Sequence, residues 1–194
     1  MLNEAVVLEF RRVTVIRKLV NIRVPESSQR MSEDGLKVLH IIMDFPLLLT
    51  ANFSNNEIQD ILPGTFLNQT LMKELDLSGN AITHLNQGTL NGLTSLRSLD
   101  LYNNEIYGVT TGAFSDLTRL RKLDLRYNRI TTLTQGGFDG LTSLQYLNLR
   151  FNRITTLTQG GFSGLTSLQY LYLSYNEISR VKNNSFSDLT RLRK

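Results

Sequence analysis

The sequence predicts a β-dominated α/β solenoid, in which one short unit recurs along the chain and each copy adds a strand to a parallel sheet. Two observations predict this fold. The pair Asn-x-Ile recurs six times at one constant spacing with no slip, and two leucines separated by one residue precede the last five copies. The asparagines that mark the period are Asn56, Asn80, Asn104, Asn128, Asn152 and Asn176.

The leucine pair predicts a short strand. In the block LxLxxN the leucines alternate at period two, as Leu99 and Leu101 do, which gives one buried face and one exposed face. An asparagine that points inward is costly unless its amide bonds to backbone groups. We therefore expect the asparagines to form a ladder, each bonded in the turn of its neighbour.

The remainder of each unit predicts the opposite side of the solenoid. The stretch IxxLxxxxFxxLxxL keeps neither a helical nor a strand period. We therefore expect 3₁₀ or irregular backbone on the outer side and a parallel sheet on the inner arc.

The repeat resembles a known family. The pattern LxxLxLxxNxIxxLxxxxFxxLxx, over roughly residues 48–194, is similar to the 24-residue "typical" leucine-rich repeat of animal extracellular receptors. The phrases LTSLQYLNL, LTSLQYLYL and TQGGFDGLTSL resemble variable lymphocyte receptors of jawless vertebrates and related chordate immune repeat proteins. The resemblance implies a leucine-rich-repeat horseshoe with its parallel sheet on the concave face, and a recognition role that is extracellular or at the cell surface.

The ends of the chain depart from that family. Its members usually carry cysteine-rich caps, whereas this chain has no cysteine and ends as another repeat begins, so we expect a truncated or unusually capped array. Residues 1–47 do not keep the period, and we interpret them as a cysteine-free, irregular N-terminal cap, with an artefact of the gene model as the alternative. Charges interrupt any signal-peptide core near the start of the chain, and no segment reaches membrane-spanning length.

Three glycosylation sequons give weak support for a secreted origin, because such short motifs also arise by chance. They begin at Asn52, Asn68 and Asn183.

The exposed columns of the sheet predict the binding surface. Core positions barely vary between units, whereas the positions between and after the leucines change freely. We expect a positive centre, since six basic residues of the third and fourth units (Arg121, Lys122, Arg126, Arg129, Arg150, Arg153) face only Asp124. Arginine beside exposed aromatic rings is typical of interfaces. The predicted ligand-binding residues are Tyr102, Lys122, Arg126, Tyr127, Arg129, Tyr146, Arg150, Phe151, Arg153, Tyr170, Tyr172 and Tyr175.

Two plainer interpretations of this surface stay open. Each charge or ring taken alone is more often part of a solvated face than of a binding site. In addition, segments 126–149 and 150–173 differ at only three positions, so part of the basic patch is explained by duplication.

Catalysis is disfavoured by the residues present. The chain has two histidines, His40 and His84, and shows no nucleophile–base pair, phosphate-cradling glycine motif or metal-ligand spacing. The ladder Asp76, Asp100 and Asp124 is interpreted as charges balanced by neighbouring cations. We predict no enzyme activity, cofactor or metal.

Two classes of partner follow from these residues. The first hypothesis is immune-type binding of anionic microbial surface polymers such as lipopolysaccharide or teichoic acid, which suits the expected positive centre of the sheet and the chain's net charge of +4. The alternative is a receptor or adhesion ectodomain fragment that binds an acidic protein or glycosaminoglycan. Nucleic acid is not expected, because the basic residues lie among acidic ones and no nucleic-acid motif occurs. An intracellular scaffold stays open as well.

Overall fold

A computed structural model describes residues 48–194 as a solenoid built around one parallel sheet of six strands. The strands of this sheet are β1 (Thr50–Asn52), β2 (Glu74–Asp76), β4 (Ser98–Asp100), β6 (Lys122–Asp124), β7 (Tyr146–Asn148) and β9 (Tyr170–Tyr172). They lie side by side in chain order. The predicted cap at residues 1–47 falls outside the described residues.

The sheet confirms the predicted register. Each strand pairs with the next exactly one repeat later, so that Leu75 lies opposite Leu99, Leu99 opposite Leu123, and Leu123 opposite Leu147. These leucines are almost completely buried, whereas the strand residues that precede them are half-buried or exposed, because side chains alternate between the two faces of a strand. Side chains at equivalent positions of successive units therefore form straight columns on the open face.

The core is one continuous cluster of aliphatic and phenyl side chains. The strand leucines and the isoleucines that follow each asparagine lie within it, and in the middle units they have no exposed surface. Phe114, Phe138 and Phe162 form a stacked series in the turns across the core from the strands. The series continues to Phe186, which is 40% exposed.

The ring spacings show that the sheet follows the shorter arc. Phe114 and Phe138 have ring centroids 6.2 Å apart on the turn side. Beside the strand ends, Tyr127 and Phe151 are also one unit apart and nearly parallel, and their centroids are separated by 4.2 Å. Because each series advances one repeat per step, the smaller spacing belongs to the inner side of a curved stack. The sheet is therefore concave, as predicted.

The asparagine ladder is present and links each unit from Asn80 onward to the unit before it. The Nδ2 of Asn128 donates to the carbonyl of Leu101 one unit back (2.9 Å) and to the carbonyl of Leu125 in its own unit (3.1 Å). Its Oδ1 accepts a bond of 3.0 Å from the backbone N–H of Ile106. The same pattern recurs at Asn80, Asn104 and Asn152.

The outer side consists of turns and very short strands. Successive i→i+3 bonds, such as Leu117 N–H to Phe114 O (2.9 Å) and Leu120 N–H to Leu117 O (3.0 Å), give the irregular backbone that the sequence predicts. Residues 48–194 contain no helix. Two small parallel sheets were not predicted, since two-residue strands carry no detectable period. They pair β3 (His84–Leu85) with β5 (Gly108–Val109), and β8 (Thr156–Leu157) with β10 (Arg180–Val181).

Replacing Asn128 with alanine should destabilise the fold by about 2–5 kcal/mol, because it leaves the buried N–H of Ile106 without its partner and removes one of the two asparagine bonds to each of the carbonyls of Leu101 and Leu125. Urea unfolding monitored by circular dichroism measures the change. The exposed Asn86, whose side chain makes no hydrogen bond in the described region, is the control, and its alanine variant should differ by less than about 0.5 kcal/mol. Similar losses in both variants would contradict the ladder.

Candidate ligand-binding surface

The sheet register brings the predicted binding residues together on and beside the last four strands. Lys122, Tyr146, Tyr170 and Tyr172 lie on strands. The others follow a strand end by two residues (Tyr102, Arg126, Arg150), by three residues (Tyr127, Phe151, Tyr175) or by five residues (Arg129, Arg153).

The last residue of each of the first five strands of this sheet, an Asp or an Asn, stabilises the turn that follows. Its side-chain Oδ1 accepts a bond from the backbone N–H two residues later, at 2.9 Å for Asp100 and Tyr102, 3.1 Å for Asp124 and Arg126, and 3.3 Å for Asn148 and Arg150. Asp and Asn both make this local turn bond readily. The carboxylate column is therefore explained by turn formation.

Arg126 is neutralised within its own unit. Its Nε donates to both oxygens of Asp124 at 3.0 and 2.9 Å, and its Nη2 lies 2.8 Å from Oδ2. Asp124 is only 3% exposed, and its hydrogen bond to Arg126 holds the pKa of that guanidinium above its usual range. The guanidinium also lies over the ring of Tyr102, 5.1 Å from its centroid. Arg126 thus has little capacity left for an outside anion.

Arg150 occupies the same column one unit later, but an amide replaces the carboxylate. The Nδ2 of Asn148 donates to the hydroxyl of Tyr146 (3.1 Å), and the Nε of Arg150 donates to the Oγ of Ser174 (2.7 Å). The guanidinium lies 4.9 Å from the centroid of the Tyr172 ring. No acidic side chain of residues 48–194 forms an ion pair with it.

The positive centre is narrower than the sequence predicts. Arg129 forms an ion pair of 3.1 Å with Glu105 of the preceding unit, in addition to the Arg126–Asp124 pair. Lys122 and Arg153, like Arg150, have no such pair within the described part of the chain. Positive charge that lacks an ion-pair partner is therefore concentrated on the C-terminal part of the sheet.

The N-terminal part of the sheet is acidic. A shallow depression of about 370 Å³ is lined by Glu74, Asp76 and Asp100 together with Asn52 and Ser98. Burial raises the pKa of Asp100, and repulsion from Asp124 and Asp76 adds to this, while the bond from the Tyr102 N–H opposes it. The concave face thus runs from negative to positive along the array.

Three aromatic side chains form a stack beside the strand ends. Phe151 lies between Tyr127 and Tyr175, with both ring centroids 4.2 Å away and the planes nearly parallel. Tyr102 meets Tyr127 edge-on at 5.3 Å. Tyr127 is 43% and Tyr175 69% exposed, so the edges of the stack face solvent. We refer to Tyr127, Phe151 and Tyr175 as the aromatic stack.

The aromatic stack is built on strained backbone. Its residues have φ values of +54°, +54° and +59°, in the left-handed region, where bulky side chains are outliers. Such conformations cost of order 1–3 kcal/mol each and are concentrated at functional sites. Earlier units place Asn55, Gly79 and Asn103 in this column, and these residue types adopt the conformation at low cost. The change to aromatic residues is thus hard to attribute to the stability of the turn.

Two contributors to this surface were not predicted from the sequence. Asn148 and Ser174 were not among the expected residues, although they determine how Arg150 is held. The sequence did contain an indication of their role, since the column Asp76, Asp100, Asp124 changes from Asp to Asn at Asn148. The Asn and Gly residues that precede the aromatic stack were a similar signal for left-handed backbone.

Comparison with known proteins identifies the family. The family model described as leucine rich repeat matches residues 52–106, 94–154 and 144–194. The chain therefore belongs to the leucine-rich-repeat family. No curated protein sequence matches it.

Two solved structures resemble the fold. A crystal structure of a TLR13–ssRNA13 complex matches with a TM-score of 0.64 and 28% identity, over 93% of this chain and 29% of that one. The Drosophila Toll–Spatzle complex matches with a TM-score of 0.61 and 23% identity, over 69% of this chain and 18% of that one. The chain thus spans less than a third of either receptor, and the second likeness concerns the fold alone.

The first neighbour bears on the expected partners. It is a receptor in complex with a single-stranded RNA, which is in tension with the expectation that this chain does not bind nucleic acid. Within residues 48–194, no helix is long and apolar enough to cross a membrane, and no three potential metal-ligating side chains are grouped.

Replacing Asp100 with asparagine should stabilise the protein at pH 7. The raised pKa means that the folded state disfavours the charged carboxylate, so its contribution to stability is present below the unfolded-state pKa and lost as the pH rises through the folded-state pKa. Asparagine keeps the turn bond, as Asn148 shows. Thermal midpoints should therefore differ at pH 7 and converge at pH 3; an equal difference at both values would contradict this account.

Replacing Phe151 with asparagine should change the stability by less than about 1 kcal/mol. Two ring contacts worth about 0.5–1.5 kcal/mol each are lost, while relief of left-handed strain returns about 1–2 kcal/mol. Phe138→Ala in the core is the comparison and should cost about 3–5 kcal/mol in urea unfolding. Comparable losses in the two variants would assign the aromatic stack to the scaffold.

Proposed function

We propose that this chain is a non-catalytic recognition module of the innate-immune type, which binds anionic polymers of microbial surfaces through the C-terminal part of its concave sheet. Lipopolysaccharide and teichoic acid are the intended class of ligand. The proposal includes an extracellular or cell-surface location, and a closer likeness to variable lymphocyte receptors than to other receptors of this family.

One observation carries the proposal: cations without carboxylate partners lie beside exposed aromatic rings on one face. Lys122, Arg150 and Arg153 have no ion pair among residues 48–194, whereas Arg126 and Arg129 each have one. Bonds from arginine to phosphate or carboxylate are charge-assisted and often bidentate. A partner that supplies negative charge would therefore complete an arrangement that the protein itself leaves open.

The aromatic residues suit the remainder of such a polymer. The aromatic stack offers a ridge of ring edges next to the cations, and Tyr146 and Tyr172 lie on the strands with ring centroids 5.2 Å apart. Rigid amphipathic rings contribute contact area with little loss of side-chain entropy. Sugar rings and acyl chains are the parts of a bacterial polymer that they would contact.

A non-catalytic role is supported by the use of the carboxylates. The Oδ1 atoms of Asp76, Asp100 and Asp124 accept backbone bonds in turns, and Asp124 also pairs with Arg126. A group occupied in this way is poorly placed to exchange protons with a substrate. The structural neighbour with 28% identity was solved as a complex with a partner molecule, which supports a recognition role.

Two alternative functions are kept, each supported by one observation. In the first, the chain is a fragment of a receptor or adhesion protein and binds an acidic protein or glycosaminoglycan through the same unpaired cations. In the second, its ligand is single-stranded RNA, as suggested by the TLR13–ssRNA13 neighbour. The 4.2 Å ring spacing of the aromatic stack leaves no room for a base between its rings, and this disfavours recognition by base stacking there.

Replacing Arg150 and Arg153 together by glutamate should weaken binding to immobilised lipopolysaccharide and teichoic acid at least about tenfold, because two unpaired cations become repulsive. Surface plasmon resonance at fixed salt measures it. Arg180→Glu is the control: Arg180 is exposed on β10, outside the six-stranded sheet, and this variant should bind nearly as wild type. Undiminished binding by the double variant would defeat the proposal.

The alternatives are separated by running heparin, an acidic protein and single-stranded RNA beside the bacterial polymers over a salt titration. Electrostatic binding to a polyanion weakens steeply with ionic strength, while a protein interface with buried contacts weakens much less. Preference for heparin or RNA over both bacterial polymers would replace the proposed ligand class.

A further inference from the structure

We infer that Arg150 is the anion-binding residue of this surface, that its ligand is a phosphate group carried by the polymer, and that the site exists because Asn148 stands where the preceding unit has Asp124. This inference deepens the proposed function and rests on it for the nature of the polymer. It separates two arginines, Arg126 and Arg150, that look alike in the sequence.

Arg126 and Arg150 differ in whether the guanidinium is already bound to a carboxylate of the protein. Three contacts of 2.8 to 3.0 Å join the Nε and Nη2 of Arg126 to a carboxylate that is almost completely buried. An external phosphate would have to displace this internal ion pair and leave Asp124 buried and unpaired, which is costly. Arg126 is therefore a poor anion site although it is partly exposed.

Arg150 is held in place without being neutralised. Its Nε donates to the Ser174 Oγ at 2.7 Å, and its guanidinium lies over the ring of Tyr172. The four N–H groups of Nη1 and Nη2 make no hydrogen bond within residues 48–194. A guanidinium fixed at Nε with its two amino groups free presents the fork that binds an oxyanion bidentately. The Ser174 hydroxyl, an acceptor for Arg150, still has its own proton to donate.

Asn148 opens the site without changing the fold around it. Its Oδ1 accepts the same turn bond from the Arg150 N–H that Asp124 accepts from Arg126. Its amide nitrogen donates to the Tyr146 hydroxyl, so the amide group faces Arg150 with an oxygen that carries no charge. Exchanging Asp and Asn between these positions alters the charge beside each arginine and preserves the turn.

Phosphate fits this position better than an isolated carboxylate. The free Nη groups and the Ser174 hydroxyl offer donors from two directions, which suits the several oxygens of a tetrahedral anion. Arg153 and Lys122, which also have no ion pairs within the described residues, are available to bind further phosphates of the same polymer. A polymer with repeated phosphates would gain from these successive cations.

The test exchanges the two residues in the full chain. The variants are Asn148→Asp and Asp124→Asn, with Asn52→Asp as the matched control. Asn52 makes the same turn bond at the end of β1, with Ser54 in place of an arginine, so its change adds equal charge on the same face but closes no site. Circular dichroism confirms folding in each case.

Two probes are used with each variant. Calorimetric titration with poly(glycerol phosphate) teichoic acid measures polymer affinity, and the NMR shift of the Arg150 Nε–H during titration with inorganic pyrophosphate reports the site itself. We expect Asn148→Asp to lower the affinity for teichoic acid and for pyrophosphate about tenfold. Asp124→Asn should raise the affinity for teichoic acid, and Asn52→Asp should change that affinity less than about twofold.

The outcomes separate the inference from the proposed function. If Asn148→Asp binds as wild type while the Arg150/Arg153 double variant loses binding, the inference is overturned and the proposed function stands. If pyrophosphate shifts Arg150 and the exchange controls it, but teichoic acid and lipopolysaccharide do not bind, the polymer assignment fails. Single-stranded RNA that binds and responds to the exchange in place of teichoic acid would likewise overturn the assigned ligand.

Discussion

The structure depends on one buried hydrogen-bond pattern, the bonding of each repeat asparagine to its own turn and to the turn of the preceding unit. In Asn128 a single amide joins the carbonyls of Leu101 and Leu125 and the N–H of Ile106. Every repeat must therefore keep the same length, since an insertion ahead of the asparagine would leave these buried groups without partners. The straight columns on the concave face are a consequence of this constraint.

Fixing the scaffold in this way separates it from the surface. The leucines and asparagines are occupied by the core and the ladder, so the positions between them can change without altering the backbone. The strand-end column shows how small a change is enough: Asp124 and Asn148 make the same turn bond, yet one neutralises its arginine and the other does not. The charge of the array can thus be set repeat by repeat.

The periodic pattern of the sequence predicted the features that repeat in every unit, but not the contacts made by individual side chains. The register of Leu75, Leu99 and Leu123, the asparagine ladder and the concave columns all follow from a repeat that does not slip. The pairing of Arg129 with Glu105 does not, because it joins different columns of adjacent units through flexible side chains. The strained backbone under Phe151 was missed as well, since aromatic residues rarely adopt that conformation and only the Asn and Gly residues of earlier units indicated it.

The placement of the tyrosines gives the molecule an internal optical label. The chain has seven tyrosines and no tryptophan, and Tyr107, which packs on His84, is the one that lies away from the concave face. Ultraviolet emission and near-ultraviolet dichroism therefore originate mainly from the surface where a partner would dock, with no indole to absorb or mask the signal. Occupancy of that surface can be followed on the native chain without attaching a dye.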